Sequence, residues 1–338
     1  MKLVKWYKDE KTDNDIVISS RVRLARNISK YPFSINLSDA DAVQMAADIK
    51  SAILPNDDFV AMQVNELAAI DKLALMECHI ISPEVLNSFA ISSVLLKKDE
   101  SMSIMINEED HVRMQAIFPG ENITGAWDAI CKIDDEIEAS VDYAFDKDFG
   151  YLTSCPTNTG TGLRASYMVH LPLLQKTGQI KDIVYAIGKF GMTIRGIYGE
   201  GTEPYGGIYQ VSNQVTMGKS ESEIMSILKN VTEQIKERER KLTEHLASTR
   251  RIEFEDSVYR AYGILSNARK ISGKEAMALL SDLRLGYVSG IANIQKPKEN
   301  IYCIMMNIQV GSLQKKEGRE LDEETRDVCR AEYLRDMF

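Results

Sequence analysis

Apolar residues in this 338-residue chain recur at both alternating and helical spacing up to about position 250, and at helical spacing alone beyond it. That switch predicts an α+β region over residues 1–250 followed by a smaller helical region over 251–338. The length also suggests about two domains. Residues 101–106 and 112–118 read as neighbouring strands across a polar turn, and 192–197 and 207–217 as two more. Residues 20–24 fit an extended segment. Helices are expected from Asp39 or Asp41, as caps, to about 54, and over 129–145, 163–171, 258–265, 274–285 and 322–337. A long amphipathic helix is expected over 220–246, with Ile224, Ile227, Leu228, Val231 and Ile235 on one stripe.

Charge narrows the function. Forty-one Lys and Arg stand against fifty Asp and Glu, a formal net charge of −9. A whole-molecule basic surface for nucleic acid is therefore not expected, although a local basic pocket for a small anion is compatible with it. No apolar run approaches the roughly 20 residues of a membrane helix. The N-terminus, MKLVKWYKDEKTDND, has no apolar core and no small-residue cleavage site. Cys78, Cys131, Cys155, Cys303 and Cys329 are odd in number and contain no CxxC pair, and the four histidines are not spaced as metal ligands. A cytoplasmic protein without disulfides and without a metal site of its own is the expectation.

Five short segments carry candidate chemistry. In SSRVR (19–23), an extended backbone puts Arg21 and Arg23 on one face, where they repel unless an anion lies between them; a solvated edge strand is the plainer reading. In NEEDHVR (107–113), Glu109 and Arg113 can face one cleft or belong to a charged turn. CPTNTGTGLRAS (155–166) reads as a glycine-rich loop opening a helix, which would offer amides and a helix dipole to an anion. Arg164 in that first turn makes sense with a phosphate present. Cys155 is either a small buried hydrophobe or a thiol tuned by a helix terminus and arginines. RGIYGE (195–200) places Arg195 and Glu200 on a mobile-looking loop. RDVCRA (326–331) sets Arg326 and Arg330 one helical turn apart, with Asp327 and Glu323 able to neutralise them. Two decoys are set aside. Gly160-Thr161-Gly162 begins a GxGxxG pattern but has alanine at 165. Asp148-Phe149-Gly150 lacks every other kinase signature, and no Walker A pattern exists.

Taken together, SSRVR, NEEDH, CPTNTGTG and RGIYGE resemble, in order and spacing, the phosphagen kinases or ATP:guanidino phosphotransferases, over roughly residues 15–245. The resemblance implies an antiparallel sheet flanked by helices. It also implies ATP and Mg2+ as cofactors. ATP would be held by Ser19, Ser20, Arg21, Val22, Arg23, His79, Arg113, Arg164, Ala165, Ser166, Tyr167, Met168, Arg195, Gly196, Ile197, Tyr198, Gly199 and Glu200. His79 taken alone reads as a partly buried neutral histidine. The resemblance makes Glu109 and Glu200 the carboxylates that orient a guanidinium and take its proton, with Cys155 beside the non-attacking nitrogens. SSRVR starts at residue 19, without the helical domain that members acting on free arginine or creatine carry before it. That gap and the extra C-terminal region look like the bacterial protein-arginine kinases. Arg326, Asp327 and Arg330 are then similar to their phosphoarginine-binding motif, an allosteric site. Further implications are a homodimer, protein substrates with exposed arginine and a role in the stress response. A small zinc-binding activator protein, a heat-shock repressor and an AAA+ protease are implied partners. A kinase of free arginine and a non-catalytic phosphoarginine reader are the alternatives; intact Glu109, Glu200 and Cys155 speak against the second.

Overall fold

The computed structural model describes residues 16–55, 58–86, 91–196, 205–290 and 293–338. Element order is β1 (Val17–Arg26), α1 (Asp39–Ile53), β2 (Phe59–Gln63), α2 (Ala69–Glu77), α3 (Pro83–Leu86), β3 (Ser93–Lys97), β4 (Met102–Ile106), β5 (Val112–Pro119), α4 (Ile123–Glu138), β6 (Phe145–Asp146) and β7 (Gly150–Tyr151). It continues with β8 (Leu163–His170), α5 (Pro172–Lys176), α6 (Ile180–Gly188), β9 (Met192–Gly196), β10 (Ile208–Asn213), α7 (Glu221–Thr249), α8 (Arg251–Asn267), α9 (Gly273–Ser289), α10 (Ile301–Asn307), α11 (Val310–Glu317) and α12 (Glu323–Met337). Eight strands form one antiparallel sheet in the order β2-β3-β4-β5-β1-β8-β10-β9, and β6 and β7 make a separate hairpin.

The chain forms two compact units. The first takes in the described residues of Ser20–Ser166 and Ser212–Leu228; the second takes in 16–19, Tyr167–Val211 and Lys229–Phe338. In the first, α4 packs on β5 and α1 on α4. Strand alternation fills its core: Val22 and Leu24 of β1, Ile104 and Ile106 of β4, and Met114 and Ala116 of β5 are all buried. Each large apolar side chain so buried contributes roughly 1.5–3 kcal/mol. In the second unit α8 packs against α9, α12 against α8 and α11 against α12.

Most expected elements are present, and three differ. Residues 163–170 form β8, not a helix. Leu163, Ala165, Tyr167 and Val169 are fully buried on one face, while on the other Arg164 and Met168 are partly exposed and Ser166 and His170 are buried too, the two-sided burial of an interior strand. The fourth helix begins at Ile123 and ends at Glu138, where Asn122 caps it by accepting from the Gly125 amide. The cap of α1 is Ser38, one residue earlier than expected: its backbone is extended and its Oγ accepts from the Asp41 amide at 3.2 Å. Asp39 and Asp41 instead sit in the first turn, against the positive end of the dipole. On α7 the buried stripe runs through Ile224, Leu228, Val231 and Ile235, with Ile227 only partly covered, and continues through Lys236 and Glu239.

Candidate active site

Three adjacent strands of the sheet carry arginines: β5 has Arg113, β1 has Arg21 and Arg23, and β8 has Arg164. All four are partly covered, while Val22 between the first pair is fully buried, so Arg21 and Arg23 do share one face. Burial, then the charges of Arg113 and Arg164, push the Arg21 guanidinium down to about 9. Arg23 is also held well below the usual arginine range, by burial and then by Arg21, Arg113 and Arg164, with Glu108 opposing. Its buried Nε has no hydrogen-bond partner among the described residues. Crowded like charges in a poorly solvated setting raise the folded state's energy unless an anion joins them. Phosphate oxygens match guanidinium geometry and would supply that charge. His79 lies beside the cluster. Its imidazole is pushed down to about 3 by burial, then by Arg21 and Arg23, and is therefore neutral. The carbonyl of this left-handed residue (φ 61°) accepts from Gln115 Nε2 at 2.6 Å.

The turn between β4 and β5 delivers the acids. Glu108, not Glu109, pairs with Arg113, at 2.5 Å, and also accepts from the Ser82 hydroxyl. Burial alone would raise the Glu108 carboxyl, but the Arg113 charge holds it below the ordinary range. Glu109 remains exposed. Its carboxyl is raised by partial burial, then by its neighbours Asp110 and Glu108. Asp110 is buried, and its Oδ1 accepts from Asn27 Nδ2 at 2.7 Å and from the Ser154 amide at 2.6 Å. That double bond-out ties the Glu109 turn to the segment just before Cys155. His111 fixes the turn from the other side: Nδ1 accepts from the Ile28 amide at 3.0 Å and Nε2 donates to the Pro32 carbonyl at 2.9 Å. The structure thus brings Glu109 and Cys155 to adjoining segments. Cys155 is half-buried, with Sγ 3.0 Å from Thr157 Oγ1.

The glycine-rich loop works differently from its sequence expectation. It leads into a strand, so no helix dipole faces an anion there and no helix terminus adjoins Cys155. Its amides are already bonded: Asn158 to the Cys155 carbonyl, Thr159 to Pro156, Gly160 to Tyr151 and Thr161 to Thr216, at 2.9 to 3.3 Å. Thr216 Oγ1 donates to the carbonyls of Thr157 and Thr159 at 2.9 and 2.7 Å. Gly160 is required because a Cβ there would lie 2.6 Å from the Thr216 carbonyl oxygen. The loop is a pinned wall, and anion binding falls to the arginine side chains.

Other sequence candidates divide the same way. Ser20 Oγ donates to the Gly120 carbonyl and accepts from the Asn122 amide, both at 2.7 Å, so it anchors the start of α4. Ser19, Val22, Ala165 and Tyr167 are buried, and the Ala165 amide donates to Asn213 Oδ1. With β8 paired on both edges, side chains rather than backbone are what Arg164 and Met168 can offer, while Ser166 is buried with its hydroxyl on the Arg21 carbonyl at 3.5 Å. Arg195 and Gly196 end β9 in the second unit. Ile197, Tyr198, Gly199 and Glu200 lie outside the described residues. On α12, Arg330 is buried: Nη1 donates to Asp327 Oδ1 at 2.5 Å and to the Ile271 carbonyl at 3.0 Å, and Nε to the Ile308 carbonyl at 3.1 Å. Arg326 Nη1 donates to the Leu321 carbonyl at 3.0 Å. Sequence reasoning had assigned nothing to Asn27, Glu108, Asp110 or His111. The only available signal was three consecutive acids before a histidine, too many to all be solvated decoration beside an arginine strand.

The comparisons with known proteins meet this geometry. The family described as ATP:guanido phosphotransferase, C-terminal catalytic domain, matches residues 42–242. The one described as protein-arginine kinase McsB C-terminal domain matches residues 251–338. A protein-arginine kinase of Caldanaerobacter subterraneus subsp. tengcongensis is 46% identical, covering 95% of this chain and 96% of that protein. One of Brevibacillus brevis is 43% identical, covering 98% and 94%. The crystal structure of lombricine kinase superposes with a TM-score of 0.61 at 24% identity, over 72% of this chain and 70% of that one, which speaks to the fold. No described helix is long and apolar enough to cross a membrane. Crowded guanidiniums on three neighbouring strands and a catalytic-domain match over most of that region lead to one conclusion: the chain belongs to the ATP:guanido phosphotransferase family.

Proposed function

We propose that the chain is a protein-arginine kinase, moving the γ-phosphoryl group of ATP to a guanidino nitrogen of arginine side chains in proteins. The observation that carries this is the set of four mutually repelling arginines, together with similarity to protein-arginine kinases along nearly the whole chain. Arg21, Arg23, Arg113 and Arg164 hold the triphosphate, and neutral His79 lies against the nucleotide. Arg195 and residues 196–200 are assigned to the nucleotide from the sequence. Mg2+ would enter with ATP and offset part of the phosphate charge beside these arginines.

The acceptor guanidinium must lose a proton before its nitrogen can attack. Glu109, whose carboxyl is raised above the ordinary range, is positioned to take that proton. The N–P bond forms as the bond from the γ-phosphorus to the β,γ-bridging oxygen breaks, and ADP leaves with the electron pair. Glu200 is the second orienting carboxylate, and Cys155 faces the other guanidino nitrogens. Residues 251–338, within the second unit, act as a dimerisation and regulatory region. There Arg326, Asp327 and Arg330 sense phosphoarginine, with Arg330 held by Asp327 beside Gly273 in the first turn of α9. A zinc-binding activator, a heat-shock repressor and an AAA+ protease complete the proposed setting in the cytoplasm. Incubation with γ-labelled ATP and a casein-like protein tests the reaction. Acid-labile label mapping to arginine is expected. Label reaching free arginine but never the protein overturns the reading.

A further inference from the structure

The tripeptide Asp148-Phe149-Gly150, set aside as a chance match, has a structural role. Asp146 Oδ1 accepts from the amides of Asp148 and Phe149 at 2.8 and 3.1 Å and so shapes the turn of the β6–β7 hairpin. Gly150 has φ of 78°, and a Cβ there would lie 2.5 Å from the Gly160 carbonyl oxygen. Tyr151 and Gly160 exchange backbone hydrogen bonds at 2.8 and 3.2 Å. The hairpin is therefore bolted to the glycine-rich loop. Behind it, the Tyr151 ring meets Phe145 edge-on at 5.2 Å, and the Arg26 guanidinium lies 3.5 Å from the Tyr151 ring centre.

This rigid mounting holds apolar side chains in water. Phe145 is 61% exposed, Phe149 56% and Met217 46%. With Gly160 and Thr161 they line a pocket of about 270 Å³, with Asp148 and Glu221 on its walls against one cation, Lys219. Clustered exposed aromatics on a fixed frame mark a binding surface rather than ordinary surface noise. Its position indicates what binds. Cys155 is five residues from Gly160, so the two lie at most about 18 Å apart even for an extended chain. An extended acceptor segment spans that distance with about five residues.

We propose that the pocket between Phe145, Phe149 and Met217 receives an apolar side chain of the acceptor protein, within about five residues of the arginine being phosphorylated. The acidic groups on its walls suit an arginine-bearing segment. This inference rests on the protein-arginine kinase reading and adds a specificity determinant to it.

The test uses the full chain, ATP and two peptides that share a single arginine, one with leucine or phenylalanine three to five residues away and one with serine there. The wild type is expected to favour the apolar peptide by about tenfold in kcat/KM, through KM, since a side chain leaves water. Phe149→Ala is expected to erase that preference while leaving turnover of the serine peptide, KM for ATP and the oligomeric state unchanged. Phosphorylation of both peptides without preference overturns the pocket alone. Equal loss on both peptides with Phe149→Ala, or a changed oligomeric state with the preference intact, does the same. Transfer to neither peptide overturns the kinase reading and the pocket together.

Discussion

Arg21 and Arg330 are both arginines without much water around them, and they live opposite lives. Arg21 lies among Arg23, Arg113 and Arg164, and that crowding together with burial lowers its hold on its proton. Arg330, in the other unit, has its Nη1 and Nε bonded to one carboxylate and two carbonyls. A buried cation whose donors meet protein acceptors is scaffold. A cluster in which a cation such as Arg23 also feels three others is relieved further when an added anion enters it. The difference predicts that the two kinds of arginine fail differently when removed.

The sharpest break comes from Arg21→Ala. It should lower kcat/KM with ATP by about 10³-fold or more, the scale of a phosphate-clamping arginine, and leave the unfolding temperature unchanged or higher, because repulsion is relieved. Steady-state kinetics and a thermal melt on the same sample check both halves. A protein that melts earlier and keeps its activity would mean the cluster is scaffold after all.

Arg330→Ala should do the reverse. It strands Asp327 and two buried carbonyls, so the unfolding free energy should drop by about 3–5 kcal/mol in denaturant titrations. Any test of phosphoarginine sensing is therefore cleaner at Arg326, whose guanidinium donates to the Leu321 carbonyl just before α12. An Arg330→Ala protein of normal stability would dissolve the contrast.

A smaller effect refines it. Glu239, on α7 in the same unit as Arg330, is also internally bonded, accepting from the amides of Leu173 and Leu174 at 2.8 and 2.9 Å. Burial still raises its carboxyl from 4.5 to about 7, against those two bonds and Lys176. The folded state thus binds this proton more tightly than the unfolded one. Its contribution is complete below pH 4.5 and is lost as pH rises through about 7, a change of about 3 kcal/mol. Glu239→Gln should flatten that part of the stability-versus-pH curve. An unaltered slope would show that the two amides fully compensate burial.

Much of this was legible in the residues themselves. The helical tail beyond 250, the long stripe of α7 and the shared face of Arg21 and Arg23 follow from spacing, because periodicity is a local property that packing rarely overrides over long runs. β8 was misread for a local reason too. Leu, Arg, Ala and Met are good helix formers, and eight residues are too few for composition to separate a helix from a strand. Pairing with β1 and β10 on both edges decided it, although the alternation of Leu163, Ala165, Tyr167 and Val169 was there to be seen.

The order of the arginine-bearing segments, and hence the family, was written in the chain. What folding alone settled was partnership across long separations: Glu108 rather than Glu109 on Arg113, Asp110 bridging Asn27 and Ser154, and Asp148-Phe149-Gly150 fastened to Gly160. A linear sequence specifies which charges exist. Which of them neutralise each other depends on distances of a few ångströms, and only the closed fold fixes those.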